Sequence, residues 1–488
     1  MLRRLLAVSM PLLLAACVGL PSPEVDRELG AQTARTVQQE IGLIDDKALG
    51  QYLDRVGQRV AAALPTRQFS YRFAVVDQLE PNAFAVPGGY VYVSRGLLAL
   101  AQSEDELAGV IAHEIQHVER RHSVKQMRKE FGLGLLALPG QLVGGIVSED
   151  LAELAGKPFE AVAAGYSRDQ EREADTLGQP LAAAAGYDPK AMALILDRME
   201  RFIATLTSEK RAPSFFDSHP TTPERVGTLM QRAATIEPAP PSPVAASDAA
   251  FLRRLDGLLV GEDPAEGVVR DEAFLHPDLG FRLAFPKGWA VENARTTVAA
   301  MAPDKKGVVV FGIAGKGDAA DLPKIAAGFS DKLARKYGAR PVQSKGSTAG
   351  GLPAYTVSVT DPSGAEPMHL QSQWVVLRGT VYQMIGIGPV SQRPLLKAMA
   401  DSLRPLTDAE RASITELRLR ITPARAGEDL AALSKRSQGA LALPVLAAMN
   451  GVAEGARFRG SELLKVAVRS PHKSPNKSPQ EPPPKPAR

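Results

Sequence analysis

The sequence predicts a multidomain α+β chain: a mainly helical first domain with a small sheet, then an α/β module, then a small βααβ module. Three observations predict it. At 488 residues the chain exceeds one ordinary domain. Helical patterns dominate residues 25–236, with short alternating stretches between them. Beyond the proline-rich run Glu237-Pro-Ala-Pro-Pro-Ser-Pro243, strand patterns prevail, followed by a short strand–helix–helix–strand pattern. Hydrophobic residues make up 44% of the chain, ordinary for globular protein, and the net charge is only +4. No basic stripe with interleaved aromatics is present, which argues against nucleic acid as the main partner.

The N-terminus carries its own signal. Arg3 and Arg4 precede an apolar run from Leu5 to Ala16, too short to span a bilayer stably. Cys17 ends the run Leu14-Ala15-Ala16-Cys17 and is the single cysteine, so no internal disulfide forms. This is similar to a bacterial lipoprotein signal, with residues 1–16 the signal peptide and 17–24 a tether lipidated at Cys17. An ordinary signal peptide cut nearby, or a short anchor, is the alternative. Acyl chains there would tether a soluble body to a membrane. Val18 stands where an aspartate retains lipoproteins at the inner membrane in the enteric sorting rule, so the resemblance implies the periplasmic face of the outer membrane.

Helical patterns run from about Val25 to Leu64. Phe69 to Val76 alternates as a strand, Pro87-Gly88-Gly89 marks a turn, and Tyr90 to Ser94 reads as a second strand. A strand at this point is either an edge that pairs with an extended peptide or a plain hairpin arm. Ser103 with Glu106 makes a capping box, and Leu107, Val110, Ile111, Ile115 and Val118 give the next helix its apolar contacts. Phe131 to Val147 is apolar but holds Pro139, Gln141 and several glycines. Such breaks fit a helix–turn–helix over the site, or a surface dipping into lipid, better than a membrane span.

The chemistry sits on that helix. His113 and His117 are four apart and share a helical face, so both imidazoles reach one zinc ion. Glu114 projects beside the metal, where it polarises water. The bland alternative is a core helix that happens to hold two histidines. A third His in the metzincin pattern would fall at Ser123, and its glycine at Arg120, which excludes that class. His122 lies five residues past His117, about 140° round a helix, and reads as structural. Downstream, Ser167 and Gln170 form another capping box ahead of Glu171 and Asp175, which share a face. One carboxylate binds zinc and the other accepts the ring N–H of a ligating His; Glu173 points elsewhere. A solvated charged face is the alternative.

Three motifs, His113-Glu-Ile-Gln-His-Val-x-x-Arg-His122, Ser167-Arg-x-x-Glu-x-Glu-Ala-Asp175 and Asn82-Ala-Phe-Ala-Val-Pro-Gly-Gly89, together resemble the periplasmic members of metallopeptidase family forty-eight. Relatives of that group include HtpX, BepA and the CAAX prenyl endopeptidase. The resemblance covers residues 25–236 and implies a gluzincin-type zinc endopeptidase with one Zn2+ per chain. It implies Glu171 as third ligand, Glu114 as general base and Asp175 as the residue orienting a ligand. A fourth matching piece, Ser218-His219-Pro220-x-x-Pro223-Glu224-Arg225, implies that His219 lies over the active site. There it either hydrogen-bonds the oxyanion or fills the open metal position and keeps the enzyme latent; a plain loop histidine before Pro220 is the alternative. Arg225 anchors this loop or assists the oxyanion. The implied substrates are misfolded or misassembled envelope proteins. The competing readings are an outer-membrane assembly factor or chaperone with a latent site, and a peptidoglycan-binding protein.

Residues 237–273 read as a Pro-rich linker. In residues 274–406, Leu279 to Trp289 reads as a strand, a turn and a buried Trp. Val308 to Ile313, Tyr355 to Val359 and Gln373 to Leu377 add strands, and Leu322 to Tyr337 a helix. This module resembles PsbP/Mog1-like domains and carries no catalytic set; His276 and His369 are ordinary. Residues 415–469 resemble a LysM module at Gly427 to Leu433, Asn450-Gly451 and Leu463-Leu-Lys465, which implies binding of N-acetylglucosamine glycans such as peptidoglycan, or a structural remnant. Residues 470–488 are expected to be a disordered, mildly basic tail. The expected partners are therefore envelope polypeptides, the membrane through Cys17, and peptidoglycan or outer-membrane assembly machinery.

Overall fold

The computed structural model describes residues 22–131, 165–205, 215–219 and 223–473, apart from 296, 339, 349 and 364–365. The expected signal with Cys17, the apolar run beyond Phe131 and most of the expected tail lie outside the described residues. Among the described residues, no helix is long and apolar enough to cross a membrane. The architecture is α+β, and the chain divides into two units, Met1–Gln38 with Leu43–Phe251 and Gln39–Gly42 with Leu252–Arg488.

The first unit opens with helices α1 (Pro23–Glu40) and α2 (Lys47–Ala62). Asp46 caps α2 by accepting the Leu49 N–H, and Leu53, Val56 and Val60 bury its inner face. Strands β1 (Arg72–Val76), β2 (Ala83–Val86) and β3 (Tyr90–Ser94) form a sheet in the order β1-β3-β2. β3 runs parallel to β1 and antiparallel to β2. Tyr90–Ser94 is thus the central strand, and the expectation of a substrate-pairing edge there is corrected: both its edges are hydrogen-bonded within the sheet. The cause is the turn at Gly88 and Gly89, whose φ angles of 80° and 102° fold β2 back onto β3.

Helices α3 (Arg95–Leu100) and α4 (Glu104–Glu119) follow, and α4 is buried from Glu106 to Val118. Ser103 Oγ accepts the Glu106 N–H at 3.2 Å, but the expected capping box does not close. The Glu106 carboxylate instead accepts the Gln102 N–H at 2.8 Å and pairs with the buried Arg198 guanidinium, a stronger partner than a neutral amide. Helix α5 (His122–Phe131) comes next, then α6 (Arg168–Ala184), whose Ser167–Gln170 capping box does close. α6 crosses α4 at Gly178, where an added Cβ would lie 3.0 Å from the His113 backbone. The absent side chain lets the two helices that carry the candidate site approach closely. Helices α7 (Ala191–Ala204), α8 (Phe215–Ser218) and α9 (Pro223–Ala233) complete the surroundings.

The expected linker is corrected as well. The Ala239 N–H donates to Ala183 O at 2.8 Å, and the Val244 N–H to the Glu104 carboxylate at 2.6 Å. Glu104 is buried and also accepts the hydroxyls of Tyr52 and Tyr187, so the strap supplies a donor that its desolvated charge needs. Helix α10 spans Asp248–Arg254, and the Phe251 ring, fully buried, lies 6.3 Å from that of Tyr52.

The second unit holds a four-stranded sheet of β4 (Val268–Arg270), β5 (Ala273–His276), β6 (Phe281–Ala284) and β14 (Arg404–Pro405), and is built on a larger, seven-stranded sheet. Its strands are β7 (Ala290–Asn293), β8 (Thr297–Met301), β9 (Val308–Lys316), β10 (Val342–Ser347), β11 (Pro353–Asp361), β12 (Met368–Leu377) and β13 (Thr380–Pro389). The order is β10-β11-β12-β13-β9-β8-β7, and every pairing is antiparallel. β13 joins β12 through the two-residue turn Arg378-Gly379, with φ 51° and 74°. Phe281, Leu283, Phe311, Tyr382 and Met384 fill one face. Helix α11 (Leu322–Tyr337) covers Val357 and Trp374 on another cluster. Trp289, expected to be buried, is only partly so; Trp374, on a strand beneath α11, is the fully buried tryptophan. The C-terminal residues form β15 (Thr415–Pro423), two helices, Leu430–Arg436 and Leu443–Asn450, and β16 (Leu463–Pro471) antiparallel to β15. His472, placed in the tail by expectation, is instead held between Asp278 at 3.1 Å and Glu416 at 3.4 Å.

Two expectations follow. Gly178→Ala forces α6 away from α4 and lowers stability by about 1–3 kcal/mol in urea unfolding. The hydrogen bond to Asp278 raises the His472 pKa above its ordinary 6.5. A group raised on folding stabilises fully below pH 6.5 and loses that contribution as pH rises through the folded value. Calorimetry of the second unit should therefore show the wild-type advantage over His472→Gln shrinking as pH rises above 6.5.

Candidate metal centre

Helices α4 and α6 and the loop after α8 bring four buried side chains to one point. His113, His117, Glu171 and His219 each offer a ligand atom, and these atoms lie within 4.8 Å of one another. The Nε2 atoms of His113 and His117 are 2.9 Å apart. Glu171 reaches His117 Nε2 at 3.3 Å and His219 Nδ1 at 2.9 Å. His219 Nδ1 is also 3.4 Å from His113 Nε2. The Phe215 ring stacks on His219 at 4.2 Å and 12°, and the Tyr166 ring on His117 at 3.9 Å.

The outer contacts decide the tautomers. Asp175 Oδ1 lies 3.0 Å from His113 Nδ1, so that nitrogen carries the hydrogen and Nε2 turns inward. Arg225 grips Asp175 through two bonds of 2.6 and 2.8 Å and reaches Glu171 Oε2 at 2.7 Å. His122, which the sequence reading treats as structural, places Nδ1 3.0 Å from His117 Nδ1. Glu173, expected to point elsewhere, is absent from the group of four but lies 3.1 Å from His122 Nε2. Two neutral Nε2 lone pairs facing each other at 2.9 Å repel unless a cation or a proton lies between them. Three imidazoles and a carboxylate at one buried point are a donor set that fits zinc.

Glu114 is fully buried beside this group, 3.5 Å from His219 Nε2. Neither of its oxygens has a hydrogen-bond partner among the described residues. Burial raises its pKa, the direction that suits a group taking and returning a proton. For Glu171 burial acts upward, but the charges of His219 and His113 overcome it and leave the carboxyl well below its ordinary range. Asp175, likewise pushed up by burial, is brought down to about 2 by His113 and Arg225. Burial lowers His117, while in His113 the effect of Glu171 and Asp175 outweighs burial and raises the pKa to about 9.

A metal ion taken up by this group competes with that proton on His113. Zinc affinity should fall about tenfold per pH unit as pH drops below about 9, with proton release on binding. Chelator competition across pH 6–9 checks the slope.

Sequence reasoning missed Tyr166 and Phe215, because ring stacking against a site leaves no spacing pattern. For His122 the signal was present in Arg120-Arg121-His122, but the helix break that turns it back is not periodic.

Comparison with known proteins bears on the first unit. Residues 47–233 match Peptidase family M48. The chain is 29% identical over 229 residues to the beta-barrel assembly-enhancing protease of Yersinia pestis, covering 44% of this chain and 46% of that protein. It is 31% identical over 178 residues to the mitochondrial metalloendopeptidase OMA1 of Schizosaccharomyces pombe, covering 36% and 50%. To the metalloprotease LoiP of Escherichia coli K12 it is 30% identical over 152 residues, covering 31% and 58%. The chain thus spans about half the length of the curated relatives it matches. Among solved structures, cyanobacterial PsbP from Synechocystis is similar with 13% identity and a TM-score of 0.23, covering 30% of this chain and 98% of that one. At that score the likeness carries no weight for fold or function. The buried His113, His117 and Glu171 all fall inside residues 47–233, the segment that matches Peptidase family M48.

Proposed function

We propose that the chain is a lipid-anchored, zinc-dependent endopeptidase of the bacterial envelope that cleaves misfolded or misassembled envelope proteins. One observation carries this reading: four buried ligand-type side chains converge beside a buried carboxylate, Glu114, that has no hydrogen-bond partner among the described residues, inside a segment that matches a metallopeptidase family. His113, His117 and Glu171 would hold the zinc ion, which supplies Lewis acidity that acidifies water and polarises a carbonyl. Glu114 takes the proton of the attacking water and returns it to the leaving amine. Asp175 holds His113 in the tautomer that presents Nε2, and Arg225 holds Asp175 and Glu171 in place. The lipid anchor at Cys17 and the outer-membrane location rest on the N-terminal sequence, and the glycan role of residues 415–469 on the LysM resemblance.

A second reading has its own observation. His219 is itself within the converging group, 2.9 Å from Glu171. That placement suits a fourth ligand that closes the site and leaves the protein chiefly an assembly factor whose peptidase is latent. The printed name of the Yersinia relative, a beta-barrel assembly-enhancing protease, fits both readings.

Hydrolysis of unfolded casein by the purified chain, with and without chelator, tests both. Glu114→Gln should keep zinc and lose about 100- to 10,000-fold in rate. His219→Ala raises activity if His219 closes the site and lowers it about 100- to 1,000-fold if it binds the oxyanion. Zinc-loaded wild type and His219→Ala that are both inert would sink the peptidase reading. Pull-down on purified sacculi with residues 415–488 deleted tests the glycan role; undiminished binding removes it.

A further inference from the structure

The two histidines of α4 are steadied in different ways. His113 rests directly on a buried acid, Asp175, which Arg225 clamps. Among the described residues, no such acid lies beside the outer nitrogen of His117. His117 has His122, with the two Nδ1 atoms 3.0 Å apart, and beyond His122 lies Glu173 at 3.1 Å from Nε2. Arg120 closes this second chain, with Nε 3.3 Å from the other Glu173 oxygen.

The contacts of this chain fit one set of hydrogen positions. If Nε2 of His117 faces the converging group with its lone pair, Nδ1 carries the hydrogen and donates to His122 Nδ1. His122 then carries its hydrogen on Nε2 and donates it to Glu173. A single tautomer of each ring satisfies every contact.

The backbone is bent to make this contact. On a continuous helix, His122 would sit about 140° from His117 and could not touch it. α4 stops at Glu119, and Arg121 adopts φ 54°, a left-handed conformation that a non-glycine residue rarely takes. That break starts α5 at His122 and returns the ring to His117. The Arg121 guanidinium is held by Asp26 at 2.7 and 2.6 Å, which fixes the break. His122 is fully buried, while the Glu173 side chain is 41% exposed.

On the proposed reading of His117 as a zinc ligand, the structure assigns His122 and Glu173 as positioning residues for that ligand. They set its tautomer and aim it at the ion. The arrangement is a surface-ended counterpart of the buried Asp175–Arg225 support of His113.

Zinc retention tests this without relying on activity. The full chain is loaded with one equivalent of zinc and challenged with a chromophoric chelator, and the dissociation rate is read. His122→Ala and Glu173→Ala should each speed zinc loss, the first by about 10–100-fold. His122→Asn, whose amide oxygen sits near the Nδ1 position but whose NH2 falls short of the Nε2 position, keeps the acceptor for His117 without the contact to Glu173 and should recover part of the retention. The metal-free melting temperature of Glu173→Ala should stay close to wild type, because its side chain is part-exposed. If His122→Ala fails to fold, Glu173→Ala with His122→Asn decides. Dissociation rates within about twofold of wild type for both alanine variants overturn the assignment. Faster loss with His122→Ala alone removes Glu173 from it. A wild-type chain that takes up no zinc at all fails the proposed function, and the assignment with it.

Discussion

The first unit is governed by the balance of charge in its interior. Glu114, Glu171 and Asp175 are buried, and against these three carboxylates stands one buried guanidinium at the site, Arg225. Three minus one leaves two formal negative charges when the imidazoles are neutral. Uncompensated charge in a low-dielectric interior costs several kcal/mol per ion. A divalent cation at the converging nitrogens balances the excess. The carboxylates of Glu171 and Asp175 likewise push the His113 pKa up despite its complete burial. Metal and proton therefore compete for one electrostatic role.

That balance exists only because two helices touch. His113 and His117 project from α4, and Glu171 and Asp175 from α6. The ligand atoms meet because Gly178 leaves room for the His113 backbone. Much of the remaining architecture holds these helices in place. The closed capping box fixes Ser167, four positions before Glu171, as the residue that caps α6. Glu104, at the start of α4, gathers two tyrosine hydroxyls and the strap around Val244. The run of prolines and serines after Glu237 is thus part of the packing of the first unit, although by composition it reads as a spacer.

What was legible in the sequence follows from periodicity. Four-residue spacings on helices place His113 with His117 and Glu171 with Asp175, because such pairs share a face whatever surrounds them. The pairs themselves come together through a helix crossing, which no local pattern encodes; the family resemblance supplied that step. The errors have the same origin. Tyr90–Ser94 alternates as any strand does, and its central position depends on a turn and on a parallel partner distant in sequence. The Ser103–Glu106 spacing is that of a capping box, but Arg198, 92 residues away, takes the carboxylate. Trp289 and Trp374 differ in burial because only one lies on a strand beneath α11.

The position of His219 carries a further argument about control. It enters the converging group from a loop after the four-residue helix α8, not from α4 or α6. Among the described residues, backbone bonds of this piece include Phe215 N–H to Pro81 O at 3.0 Å, Tyr166 N–H to Ser218 O at 2.9 Å and His219 N–H to Phe215 O at 2.7 Å. Withdrawing His113 or His117 would require moving a helix whose inner residues are all buried. Withdrawing His219 requires moving a short segment, unstacking Phe215 and giving up the contacts with Glu171, Glu114 and the Tyr166 ring. The energies differ in size, since a short segment, even one with buried residues such as Phe215 and His219, opens at lower cost than a core helix. On the latent reading, access to the site is then set by this one segment, while the His113, His117 and Glu171 donors stay in place. A site arranged in this way can keep its metal while its chemistry is switched.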